Sequence, residues 1–190
     1  VINEFLSQET DAVKSTYQAV VLAAWIDNLS LYNQSLGSLL KRANPRVPQH
    51  YVYLLNGLSL APHKFPTESL VKSLDRLPES LAKNLLVQRA QLAFAIFRDD
   101  KLMATDVLAK LAKPGTPLPI RIYSKMARAW INPQSVTDVQ LRQFEHQLEV
   151  LPALESGNPG KRWDERCLLD MLYRRLQSPH KASISGESDE

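Results

Sequence analysis

Four histidines, one cysteine and a few paired acids are the residues whose chemistry is worth weighing first. His50, His63, His146 and His180 are scattered. None lies four residues from another, the spacing that puts two imidazoles on one helix face, and none lies near Cys167. A zinc site needs three or four convergent ligands, so the sequence calls for no metal and no other cofactor. Cys167 with a histidine would be a nucleophilic pair. Its neighbours Leu168, Leu169 and Leu172 instead make it a packing thiol on an apolar stripe. No GxSxG, glycine-rich phosphate loop or HExxH occurs. Asp99-Asp100 has the composition of an acid/base pair, but at a helix junction such residues accept hydrogen bonds from the free amides of the next helix. The expectation is a protein that is not an enzyme.

Two basic clusters carry a different chemistry. Lys41, Arg42 and Arg46 are followed by His50, Tyr51 and Tyr53; Lys161, Arg162 and Trp163 are continued by Arg166, Arg174 and Arg175. Cations interleaved with aromatic rings can hold phosphates and stack on bases, which makes Lys41, Arg42, Arg46, Lys161 and Arg162 the candidate contacts for RNA or DNA. The plainer reading is a pair of solvated helix ends, where cations complement the helix dipole. Asp164, Glu165 and Asp170 blunt the second cluster. The net charge of +3 is too small to mark a polyanion binder by itself.

These residues must be carried by helices. Six glycines are all the chain has, and most of the twelve prolines fall between periodic segments. No stretch alternates apolar and polar residues over six positions. Apolar residues instead recur at spacings of three and four. The pattern predicts a long first helix from Ile2 to Ala24, a second through Leu36, Leu39 and Leu40, and a third from Gln49 to Leu60 just inside Pro48. A short fourth follows Thr67. A fifth runs unbroken from Pro78 to Ile96, with Asp99-Asp100 as its turn. A sixth bears Met103, Val107, Leu108 and Leu111 and stops at Pro114-Gly115. The seventh is Ile120 to Trp130; the eighth, capped by Thr137 or Asp138, bears Leu141, Phe144, Leu148 and Leu151. The ninth is Trp163 to Leu176.

Within this series, Gln91-Leu92-Ala93-Phe94-Ala95-Ile96-Phe97 lies over Lys125-Met126-Ala127-Arg128-Ala129-Trp130-Ile131 at an offset of 34 residues. Ala93 meets Ala127 and Ala95 meets Ala129. A helix, a turn and a helix at this period resemble the tetratricopeptide repeat over residues 79 to 151, with Ala104 and Pro114 as further matches in the first copy. The resemblance implies stacked helix pairs with a concave face for a peptide or partner helix. It makes Gln91, Phe94, Lys125 and Arg128 the candidate partner-binding residues, with Phe94 partly exposed as the anchor.

The expected fold is therefore all-α, about nine helices in antiparallel pairs, with a tetratricopeptide-like solenoid or an irregular helical array in the middle. One domain is expected over 1–177 (N-terminal helices 1–77, repeat-like pairs 78–154, a C-terminal helix 162–177), with 155–161 as a linker and a disordered tail over 178–190. Trp25, Trp130 and Trp163 are expected in the packing. No run reaches the roughly 20 apolar residues of a spanning helix. A single cysteine fits a reducing, cytoplasmic setting, and the start at Val1 is expected of a processed protein or a fragment. The expected function is a non-catalytic adaptor or scaffold for a protein or peptide; the alternative is a basic module for RNA or DNA.

Overall fold

A computed structural model describes residues 12–44, 46–60, 79–150 and 163–177. They are all-helical: eight α-helices of eleven residues or more, a single helical turn and a 3-10 turn, with no strand among the described residues. The chain divides into two compact units, Val1–Leu111 and Ala112–Glu190.

Among the described residues the first unit holds six helices. They are α1 (Ala12–Trp25), α2 (Leu29–Arg42), α3 (Pro48–Ser59), the single turn α4 (Glu79–Ala82), α5 (Leu85–Phe97) and α6 (Lys101–Leu111). The expected first helix is present from Ala12; its residues before that, the fourth helix after Thr67, the 155–161 linker and the 178–190 tail lie outside the described residues.

Two helical hairpins in this unit share one turn. Asp27 ends α1 and Asp99 ends α5, each in the left-handed region (φ 51° and 57°). Aspartate and asparagine tolerate that region better than other side chains with a Cβ. In both turns the next two amides double back on the closing helix. Asp27 and Asn28 donate to the carbonyls of Ala24 and Ala23, and Asp99 and Asp100 donate to those of Ile96 and Ala95. That is the Schellman closure, which satisfies carbonyls a helix end would otherwise leave bare. The following residue caps the next helix: the Asn28 side chain accepts from the Leu31 amide, and Asp100 Oδ1 from the Met103 amide at 2.9 Å. Three residues thus reverse the chain in each hairpin, and Asp100 does the capping expected of it.

Helix α3 joins the hairpins, packing against α1 and α5. Pro48 stands at its first turn, where a missing amide costs nothing. Gly57 faces this junction: a Cβ there would make ordinary van der Waals contact, 3.5 Å, with Leu36, Leu39 and Val20 side-chain atoms. Val20, Ala23, Tyr32, Leu36, Leu39, Tyr51, Leu54, Leu55, Leu58, Val87, Ala90 and Phe94 form one continuous core.

The expected fifth helix is two. Asn84 takes an extended conformation, and its Oδ1 accepts from the amides of Leu86 and Val87. An asparagine that caps two amides starts a helix more effectively than it continues one. The preceding turn α4 is tied on by Gln88, whose Nε2 donates to the Ala82 carbonyl.

The second unit holds α7 (Leu118–Ile131), a 3-10 turn (Pro133–Ser135), α8 (Asp138–Val150) and α9 (Trp163–Gln177). Helix α9 packs against both α7 and α8. Thr137 and Gln140 form a reciprocal capping box at the start of α8, so Thr137 is the cap and Asp138 the first helical residue. Leu141 and Leu148 of the expected α8 stripe are buried and Phe144 half-buried; Leu151 lies outside the described residues. Ala127 and Trp130 are fully buried in α7, as Ala93 is in α5.

Candidate functional site

Phe94 is not an exposed anchor. It is 2% exposed, within the core of the first unit. Helix α5 is apolar around most of its circumference and packs against α3 and α6. The face that carries Phe94 is the packed one; the exposed position of this helix is Leu86, with Arg89, Gln91 and Phe97 half-buried. The Arg98 guanidinium lies 5.3 Å from the centre of the Phe94 ring. Gln91 is half-buried.

Lys125 and Arg128, the other half of the candidate partner set, are exposed on α7. This helix is two-sided. Ile120, Ile122, Tyr123, Ser124, Met126, Ala127, Ala129 and Trp130 are buried. The exposed positions are Leu118, Arg121, Lys125 and Arg128, which recur at three and four residues and so form one line. Helix α7 contains no acidic residue, and no ion pair reaches Arg121, Lys125 or Arg128 among the described residues. Arg121 lies four residues before the 125–131 segment that pairs with 91–97, so the 34-residue offset does not single it out. The ordinary helical period of α7 was the signal that would have found it.

The inner side of α7 is held by α9. Arg175 Nη1 donates to the Trp130 carbonyl at 2.9 Å, and its guanidinium lies 5.1 Å from the centre of the Trp130 ring. Arg175, read from sequence as part of a basic cluster, is thereby committed to packing. Tyr173 donates to Glu145 Oε2 at 3.1 Å, tying α9 to α8; desolvation first, and then the Glu145 carboxylate, raises its pKa. Arg142 and Asp138 form an exposed ion pair on α8.

The nucleic-acid candidates divide. Lys41, Arg42 and Arg46 are exposed. Arg42 Nη1 reaches Thr16 Oγ1 at 3.4 Å, which places the end of α2 beside the start of α1. Across residues 12–60, Lys14, Lys41, Arg42 and Arg46 stand against one acid, Asp27. The aromatic half of that cluster fails. Tyr51 is 2% exposed in the core, and Tyr53 stacks on Tyr17 with ring centres 4.7 Å apart. His50 is occupied locally, accepting from the Asn44 amide at Nδ1. Lys161 and Arg162 lie outside the described residues.

Trp25 is also corrected. It is 52% exposed, because its position in α1 falls on the outward face with the exposed Leu22 three residues before it, away from the buried Val20 and Ala23. Trp130 is core, as expected, and the Trp163 side chain lies outside the described residues. Cys167 is half-buried. No cluster of three histidine, cysteine or acidic residues gathers among the described residues, and no helix there is long and apolar enough to cross a membrane.

The chain matches no protein-family model, no curated protein and no solved structure.

Proposed function

We propose that this chain is a non-catalytic helical adaptor that binds a protein or peptide. The observation that supports this reading is the outer face of α7, where Lys125 and Arg128 are exposed without an ion-pair partner among the described residues while the opposite face is fully packed. The backbone of a well-anchored helix is already ordered before binding, so only the side chains themselves lose freedom when a partner docks. The helix–turn–helix period of 34 residues belongs to the same reading, and so does a cytoplasmic location, on the strength of the single cysteine.

A second reading, a module for RNA or DNA, is favoured by the four cations and one acid across residues 12–60 and by the exposure of Lys41, Arg42 and Arg46. The two readings separate in one experiment. Capture is compared from nuclease-treated and untreated extracts with Lys125→Glu/Arg128→Glu and with Arg42→Glu/Arg46→Glu. An adaptor loses its nuclease-resistant partners through the first pair alone. A nucleic-acid module loses nuclease-sensitive capture through the second pair, with a steep dependence on salt.

A further inference from the structure

Helix α7 presents an unusually narrow surface. Its outward residues Leu118, Arg121, Lys125 and Arg128 fall within about one third of the circumference at 3.6 residues per turn. Along the axis Arg121 and Lys125 are about 6 Å apart, and Lys125 and Arg128 about 4.5 Å. Three cations therefore occupy a ridge about 10 Å long, with the apolar Leu118 (52% exposed) at one end. We infer that this ridge takes an acidic segment of a partner protein, with carboxylates one helical turn apart against Arg121, Lys125 and Arg128 and an apolar residue against Leu118. This rests on the adaptor reading and adds the chemistry of the partner.

Two features favour an acidic protein segment over nucleic acid. No exposed ring lies on the ridge to stack a base. Helix α8, packed beside α7 in the same unit, carries exposed Glu145 and Glu149 besides the Asp138–Arg142 pair, and these two carboxylates repel a long polyanion laid across the unit but spare a short segment confined to the ridge. The arginines add geometry, since each guanidinium can take a carboxylate through two parallel hydrogen bonds.

The test uses the full chain and three labelled probes: a helical peptide with leucine at position i−3 and glutamate at i, i+4 and i+7, the same peptide with glutamines, and a single-stranded RNA. The glutamate peptide should bind about tenfold or more tightly than the glutamine peptide, as expected for three exposed ion pairs acting together. Arg121→Glu/Lys125→Glu/Arg128→Glu should lose that binding with helicity unchanged, and a lysine peptide of the same spacing should restore it. Equal binding of both peptides, no binding of either, or binding that survives the triple substitution overturns the proposal. RNA that binds more tightly than the glutamate peptide through the same three residues also overturns it, in favour of phosphate. If the triple variant still captures the nuclease-resistant partners of the wild type, the ridge assignment falls and the adaptor reading stands. If the wild type captures none, the adaptor reading falls with it.

Discussion

The phenolic hydroxyl of Tyr32 donates a 2.8 Å hydrogen bond to the Gly57 carbonyl, joining α2 to α3 across 25 residues of sequence. Tyr32 is 1% exposed, and burial pushes its pKa from 10.0 to about 12. The neutral phenol is therefore the form the fold holds. Between pH 10 and pH 12 the unfolded chain loses this proton before the folded one does, so stability present below pH 10 falls as pH rises through that window. Two pKa units correspond to about 2–3 kcal/mol. Tyr32→Phe should cost about 1 kcal/mol at neutral pH through the lost hydrogen bond. It should also flatten the alkaline decline. Urea unfolding at pH 7 and at pH 11 checks both, and an unchanged alkaline slope in the variant would show that Tyr32 is not its source.

Gly57 makes a prediction with opposite signs for two substitutions. A Cβ there meets the Leu36, Leu39 and Val20 side chains at ordinary van der Waals distance. Gly57→Ala should fit and stabilise α3 by up to about 1 kcal/mol, because alanine restricts the unfolded chain and favours helix. Gly57→Leu should drive atoms into those three side chains and cost about 1–3 kcal/mol. Thermal melting of both variants should move in opposite directions; a loss for alanine would mean the α2–α3 contact is tighter than 3.5 Å.

Phe94→Ala should destabilise the fold by about 3–5 kcal/mol, the cost of an aromatic-sized cavity. The ring is in the core of the first unit. A variant that melts like the wild type would return Phe94 to the surface and reopen a binding role for it.

Asn84→Ala should cost about 0.5–2 kcal/mol, because the Leu86 and Val87 amides lose their acceptor. Amide exchange should rise first at those two positions. Exchange unchanged there would favour one unbroken helix across residues 79–97.

The helical class, most element positions and several caps were legible in the chain. Periodicity of three to four with scarce glycine leaves few alternatives to helices, and the caps at Asp100 and Thr137 act over two or three residues, a range that sequence records directly. The break at Asn84 was equally local and was still missed, because leucines on both sides of it continue the apolar stripe while the asparagine cap interrupts the backbone. Phe94 and Trp25 required tertiary structure. Phe94 reads as the displayed face of an amphipathic helix, but the helices packed on α5 put that face in the core and leave Leu86 exposed instead. Trp25 reads as core, but α1 packs through its Val20 and Ala23 face and leaves Trp25, with Leu22, in solvent. Arg121, Lys125 and Arg128 lie between: their spacing is written in the sequence, and burial of every other side of α7 is what turns three separate cations into a ridge. Sequence determines which backbone a segment prefers; which of its faces meets water depends on helices brought beside it from far along the chain.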